Sequence, residues 1–127
     1  MNYYRLLTIN KLISNPRLKL LGVWLLHQFN RRYLAVYFDP VMACNLRCKM
    51  CYFTDDAYVK KLKDIFKKED LPVLATAFFK RAIKLQIGCG TEPTLYPHIG
   101  EIIKQAKRHE VPYISMTTNA NLIEIKH

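Results

Sequence analysis

The sequence predicts an α/β fold built around a parallel sheet, and three segments carry that prediction. Residues 33–38 are a continuous run of apolar, β-prone side chains, which is typical of a strand buried on both faces. Residues 83–87 alternate apolar and polar side chains, as expected of a second strand that ends at Gly88. A third strand is predicted over residues 111–117. Helical patterns separate the strands, so right-handed crossovers between parallel strands are expected.

A helix is predicted to begin at Asn15 and Pro16, because Asn is a favoured N-cap and Pro fits the first helical position. Apolar residues then recur at helical spacing: Leu18, Leu21, Leu25 and Phe29. This broad apolar face is expected to pack in the core, with a membrane surface as the alternative. Residues 1–32 are therefore interpreted as an N-terminal helical extension and residues 33–127 as the α/β core.

Three further helices connect or follow the predicted strands. The first is capped by Asp55 or Asp56 and extends to Phe66, and the second covers residues 70–81. Pro97 begins the third, in which apolar residues fall on one face.

The charge of the chain favours anionic partners in general, such as nucleic acid, anionic lipid or a phosphorylated substrate, but does not single one out. It carries 20 Lys and Arg against 10 Asp and Glu, a formal net charge of +10. Residues 1–38 contain six of the basic residues and no acidic one, whereas the remainder is closer to balance. We expect a solvated basic surface, and a nucleic-acid partner is not expected.

The expected compartment is the cytoplasm. The clustered cysteines described below suit a reducing environment. The longest apolar run, residues 20–26, is far shorter than the roughly 20 residues that span a bilayer, and no small-residue cleavage site follows it. No transmembrane segment is therefore expected.

The strongest chemical signal is a cluster of cysteines. Cys44, Cys48 and Cys51 fall within eight residues, too close together for a disulfide framework. Thiolates bind soft metals, and three of them suit a cubane iron–sulfur cluster that leaves one iron open. A structural zinc takes four ligands, which Cys89 or His98 could complete. Without zinc, Cys89 is expected to pack as a small apolar residue.

Polar or cysteine-rich segments follow all three predicted strands. They are residues 44–51, 88–94 and 117–121. Because the carboxyl ends of parallel strands share one edge of a sheet, we expect these segments to converge there and to build a site.

Each of the three segments resembles a motif of the radical S-adenosylmethionine (radical SAM) superfamily. Residues 44–51, Cys-Asn-Leu-Arg-Cys-Lys-Met-Cys, resemble its C-x3-C-x2-C signature after the first strand. Residues 88–94, Gly-Cys-Gly-Thr-Glu-Pro-Thr, resemble its Gly-Gly-Glu-Pro motif, and residues 117–120, Thr-Thr-Asn-Ala, are similar to its Thr-Asn-Gly. The resemblance covers residues 33–127. It implies that they form the first half of a partial (β/α)6 TIM-like barrel.

The resemblance also implies cofactors and chemistry. Cys44, Cys48 and Cys51 would hold a [4Fe–4S] cluster whose open iron is chelated by S-adenosylmethionine. Reductive cleavage of that cofactor would yield methionine and a 5′-deoxyadenosyl radical, with a flavodoxin or ferredoxin as electron donor. The implied cofactor contacts are Gly90, Thr91, Glu92, Pro93, Asn119 and Met50. Glu92 would accept from the methionine ammonium, and Met50 would stand where an aromatic side chain usually contacts the adenine.

Three strands are fewer than the six βα units of the family's barrel. We therefore expect the chain to be an incomplete core whose full-length parent is an enzyme, and do not expect the 127-residue chain to turn over a substrate by itself. The alternatives are a non-catalytic iron–sulfur or zinc-binding module, and a basic interaction or nucleic-acid-binding fragment.

Overall fold

A computed structural model describes residues 3–62 and 64–123 of the chain. Two helices come first, α1 (Tyr3–Leu12) and α2 (Pro16–Gln28), and strand β1 (Leu34–Phe38) follows. The short helix α3 (Asp56–Val59), helix α4 (Leu71–Phe78) and strand β2 (Ala82–Ile87) come next. Helix α5 (Ile99–Arg108) and strand β3 (Tyr113–Met116) complete the order, and short 3-10 turns lie at Tyr52–Thr54, Lys68–Asp70, Phe79–Arg81 and Pro93–Leu95.

The three strands form one parallel sheet in the order β1-β2-β3. Val36 pairs with Leu85, and Leu85 pairs in turn with Ile114. The α/β class and the parallel βα arrangement predicted from the sequence are confirmed.

The core lies between one face of this sheet and helices α4 and α5. Leu85 and Ile87 of the central strand are fully buried there. Ala75 of α4 and Ile102 of α5 are equally inaccessible and pack into the same cluster. The alternation in residues 83–87 thus correctly predicted a strand, but only Leu85 and Ile87 face this core, whereas Ile83 lines a cavity against the N-terminal helices.

The opposite face of the sheet is more open, so the expectation that β1 is buried on both faces is wrong. Tyr37 is 60% exposed, because α4 and α5 cover only the other face. On this open face the Lys84 ammonium lies 5.4 Å from the ring centroid of Tyr3 and 5.8 Å from that of Tyr37. These cation–π contacts connect α1 to the sheet.

The start of α2 confirms the capping prediction. The Asn15 side chain accepts a hydrogen bond from the backbone N–H of Arg17 at 2.9 Å, and Pro16 is the first helical residue. The predicted core packing of this helix is wrong, since neither α1 nor α2 contains a buried residue. Both helices were assigned to an extension over residues 1–32, and that division of the chain stays a prediction. Helix α1 itself was not predicted.

The helix predicted to reach Phe66 is much shorter in the structure. Asp55 caps it by accepting from the backbone N–H groups of Ala57 and Tyr58, but the helix ends at Val59. The chain then turns back, and Ile65 forms an antiparallel bridge with Val41.

None of the helices within residues 3–62 and 64–123 is long and apolar enough to cross a membrane.

Candidate iron–sulfur and cofactor site

The loop that follows β1 carries the three clustered cysteines. Cys44 and Cys51 are half-buried and Cys48 is exposed, and all three are free thiols. The backbone N–H of Cys51 donates to the carbonyl of Cys48 at 2.9 Å, and the Thr54 amide donates to the Cys51 carbonyl at 3.0 Å. These bonds give the second half of the loop a compact, turn-like backbone.

Arg47 braces the first half of the cysteine loop. Its guanidinium donates to the carbonyls of Cys44 at 2.9 Å and of Leu46 at 3.1 Å, and its Nε lies 3.7 Å from Oδ1 of Asp56. In addition, the Leu46 N–H is directed at the Cys44 sulfur, 3.5 Å away. This contact orients the Cys44 side chain within the loop.

The three thiols supply a donor set that suits an iron–sulfur cluster. Three soft sulfur ligands on one short loop fit a cubane cluster with one open iron. Within the described part of the chain, no three His, Cys, Asp or Glu side chains are grouped closely enough to hold a single metal ion. The fit therefore rests on the kind and number of the sulfur donors on one loop.

Asp39 ties the end of β1 to the loop after β2. Its carboxylate accepts from the backbone N–H of Cys89 at 2.7 Å, from that of Gly90 at 3.2 Å, and from the Thr91 hydroxyl at 2.9 Å. Sequence reasoning missed Asp39, although an acidic residue directly after a predicted parallel strand could have identified it. It fixes the backbone of the loop that carries Glu92.

Glu92 is the buried acid of this site, with a side chain that is 2% exposed. Oε1 accepts from the Thr94 N–H at 3.1 Å and from the hydroxyls of Thr94 and Thr118 at 2.5 and 2.6 Å. Oε2 accepts from the Asn119 N–H at 2.8 Å. Burial alone would raise the pKa of Glu92, but the hydrogen bonds from Thr118, Thr94 and Asn119 outweigh it and hold the pKa below its usual value. Glu92 is therefore an ionised carboxylate that joins the loops after β2 and β3.

Further hydrogen bonds bring all three loops together at the carboxyl edge of the sheet. The Glu92 N–H donates to the Ala43 carbonyl at 2.9 Å. The Asn119 side-chain amide donates to the Asn45 side chain at 2.8 Å. The predicted convergence of the three segments is thus confirmed by direct contacts.

The other predicted site residues lie at the same edge, but their environments differ. Gly90 has Tyr52 so close that an added Cβ would lie 2.5 Å from the tyrosine hydroxyl, which itself donates to the Gly90 carbonyl. Pro93 is buried and begins the 3-10 turn Pro93–Leu95. Met50 is fully exposed, so its side chain is not packed against the loops.

The Cys89 side chain is exposed, so the expectation that it packs as a small apolar residue is wrong. The chain leaves β2 through Gly88, which has a positive φ of 74° that glycine adopts readily. The Cys89 thiol lies 3.9 Å from the Gln86 carbonyl oxygen.

Comparisons with known proteins agree with this arrangement. The family model of the Radical SAM superfamily matches residues 40–127. GTP 3′,8-cyclase of Mesorhizobium japonicum is 28% identical over 82 residues, which cover 61% of this chain and 24% of the cyclase. Molybdenum cofactor biosynthesis protein 1 is 28% identical in Homo sapiens and 26% in Bos taurus, over 99 residues that cover 77% of this chain and 16% of those proteins. No solved structure gives a significant match.

The chain thus spans only about a quarter or less of the length of these relatives. The family match begins just after β1 and covers the cysteine loop, strands β2 and β3 and both of the other loops at the carboxyl edge. The chain belongs to the radical SAM superfamily.

Proposed function

We propose that this chain binds a [4Fe–4S] cluster through Cys44, Cys48 and Cys51, and S-adenosylmethionine beside it. The observation that carries the proposal is the joining of three loops at one edge of the sheet, with the three thiols on the first loop. When bound, the cluster supplies the electron that cleaves S-adenosylmethionine to methionine and a 5′-deoxyadenosyl radical. The protein's own residues position these groups.

Glu92 retains one acceptor position for the ammonium group of S-adenosylmethionine. A carboxylate has about four lone-pair sites, two on each oxygen; three donors share the two sites of Oε1, and one donor takes one of the two sites of Oε2. Since three donors crowd Oε1, the second lone pair of Oε2 is the acceptor best placed for a ligand. The first role of Glu92 is structural, however, because its carboxylate joins the loops after β2 and β3 before any ligand binds.

The remaining proposed cofactor contacts fall to the backbone and to small side chains of the same loops. Gly90, Thr91 and Pro93 shape the loop after β2, and Asn119 presents a side-chain amide that already contacts the cysteine loop. Met50, being fully exposed, is free to cover a bound adenine with its thioether.

An external reductant would complete the chemistry. We propose a small electron-transfer protein such as a flavodoxin or a ferredoxin. Cys48 is exposed, which supports access of such a donor to the cysteine loop. Free thiols at all four cysteines suit the reducing cytoplasm that we propose as the compartment.

Anaerobic reconstitution tests the cluster. We expect a brown, oxygen-sensitive protein with about four irons and four sulfides per chain. Replacing Cys44, Cys48 or Cys51 with Ala should abolish cluster retention, whereas the control Cys89→Ala should retain it. Stoichiometric zinc without iron–sulfide absorption would refute the proposal and favour a zinc-binding module.

Equilibrium dialysis of radiolabelled S-adenosylmethionine against the reconstituted protein tests the second cofactor. Glu92→Gln keeps the size of the side chain but removes its charge, so we expect binding to weaken by roughly 10–100-fold while the iron content stays unchanged. The control is Glu101→Gln, on the helix that follows. Equal affinity in the two variants would remove Glu92 from the cofactor site.

A further inference from the structure

Helix α2 exposes a large apolar surface, which we call the outer face of α2. It consists of Leu20, Leu21, Trp24 and Leu25, and their exposed fractions are 70%, 50%, 55% and 41%. Transfer of these side chains from water into an apolar environment would be favourable, and an exposed patch of this kind marks an interaction surface.

The outer face is held away from the sheet by the rest of the helix. Val23 and Leu26, on the other side of α2, line a cavity of about 390 Å³ between the two N-terminal helices and the sheet. At the end of α2 the Arg81 guanidinium donates to the His27 carbonyl at 3.0 Å, and the His27 ring is hydrogen-bonded to the Tyr33 hydroxyl at 2.9 Å. Since these contacts fix one side of α2 towards the protein, the outer face is directed outwards.

The N-terminal segment that contains the outer face carries charge of a single sign. Residues 1–38 contain Arg5, Lys11, Arg17, Lys19, Arg31 and Arg32 and no acidic residue. Arg32 is engaged with backbone carbonyls, and Lys19 lines the groove between α2 and α1 on the other side of the helix. Arg17 in the first turn of α2 and Arg31 just after its end leave basic residues at both ends of the outer face. Leucines and a tryptophan bordered by basic residues are the composition of a helix that lies in the interface of an anionic bilayer.

We propose that the outer face of α2 docks the protein on the surface of an anionic lipid bilayer. Trp24 and the leucines would enter the boundary between headgroups and acyl chains, and the surrounding basic residues would contact lipid phosphates. A second copy of the chain fits this face less well, because it would bring two acid-free, positively charged segments together. This proposal is independent of the cofactors proposed above.

Docking in this way leaves the cofactor site accessible. The contacts that anchor α2 involve Arg81, just before β2, and Tyr33, just before β1, so the C-terminal end of α2 is fixed at the amino edge of the sheet. The cysteine loop lies at the carboxyl edge, on the opposite side. A substrate or an electron donor could therefore approach the site while the protein is bound to the bilayer.

Vesicle co-sedimentation of the full-length protein tests the proposal. Vesicles of phosphatidylcholine with 30% phosphatidylglycerol should bind it at low salt, and vesicles of phosphatidylcholine alone should bind it much less. The double variant Leu20→Ser/Trp24→Ser should lower the partition coefficient roughly tenfold or more. Its matched control is Val73→Ser on α4, which removes a side chain that is 72% exposed elsewhere on the surface.

The charge contribution has a control of its own. Arg17→Glu should weaken binding to the anionic vesicles roughly fivefold or more, whereas Lys107→Glu, an equal change of charge on α5, should not. Circular dichroism would confirm that every variant is folded. Absence of binding, equal binding to neutral and anionic vesicles, or equal effects of the paired variants would each refute the proposal. So would a dimer in size-exclusion chromatography that the Leu20→Ser/Trp24→Ser variant disrupts, if the vesicles do not bind.

Discussion

Removing the Glu92 carboxylate should destabilise the protein far more than removing a surface carboxylate. Glu92→Ala leaves four donors without their acceptor, and two of them are the backbone N–H groups of Thr94 and Asn119. An unsatisfied buried donor costs about 1–3 kcal/mol, but Asn119 lies at an exposed position where water can replace the lost bond. We therefore expect a loss of about 2–4 kcal/mol in the free energy of unfolding, measured by urea denaturation at pH 7.

The same carboxylate predicts how stability depends on pH. The pKa of Glu92 is lower in the folded protein than in the unfolded chain, where a glutamate titrates near about 4.3. Its contribution is thus fully present above the unfolded pKa and is lost as the pH falls through the folded pKa. The stability difference between wild type and Glu92→Ala should therefore shrink below about pH 4.

Two variants separate this reasoning from a general loss of charge. Glu101→Ala removes an exposed ion pair with Lys104 and should change stability little. Thr118→Val should destabilise the wild type by about 1.5–3 kcal/mol, since it removes a hydrogen bond to a charged group, but should add little in the Glu92→Ala background. If Glu92→Ala and Glu101→Ala had equal effects, or if the effects of Thr118→Val and Glu92→Ala were additive, Glu92 would not join the loops as described.

Three further predictions concern the loops and the core. Gly88→Ala should lower the free energy of unfolding by about 2 kcal/mol or more, because φ is 74° and the added Cβ would lie 2.5 Å from the Thr117 carbonyl oxygen. The control Gly100→Ala, in open space on α5, should be neutral or stabilising, and thermal melts would compare the two variants. Asp39→Ala should increase hydrogen exchange at the amides of residues 89–90, while exchange in α5 stays unchanged; equal protection in wild type and variant would contradict the role given to Asp39. Ile102→Ala should cost about 2–5 kcal/mol in urea denaturation, as expected for a fully buried side chain, and a loss below 1 kcal/mol would show that the core can close around the cavity.

The sheet was predictable because its signal is local. Alternation over residues 83–87 identifies a strand, and Asn15 followed by Pro16 indicates where a helix begins. The convergence of the three loops also followed from the sequence, since parallel strands place their carboxyl ends together whatever the loops contain.

The errors arose where distant residues decide the structure. The segment after α3 has helical spacing, yet the Phe66 ring packs edge-on against the Phe38 ring at a centroid distance of 5.1 Å. The Phe66 amide also donates to the Pro40 carbonyl at 2.8 Å. These contacts favour an extended segment that pairs with residues 40–41 over a longer helix. No local sequence pattern indicates such contacts. The exposed face of β1 was missed for a similar reason, because burial depends on which helices reach that face.

The hydrogen bonds of Glu92 were beyond sequence reasoning as well. A Glu-Pro pair after a strand suggested a ligand contact, but the sequence cannot show that Thr94, Thr118 and Asn119 already surround the carboxylate.

Arg32 connects the N-terminal helices to the sheet, so the two parts are not expected to fold independently. It belongs by sequence to the extension assigned to residues 1–32, yet its guanidinium donates to the carbonyls of Phe79, Ala82 and His109. The last of these bonds closes 77 residues of chain, so it forms only when the amino edge of the sheet is already assembled. A protein that begins at residue 33 would lose these three hydrogen bonds and leave the three carbonyls without the Arg32 donor. We therefore expect the helices and the sheet to unfold in a single cooperative transition, and proteolysis near residue 32 to proceed only through global unfolding.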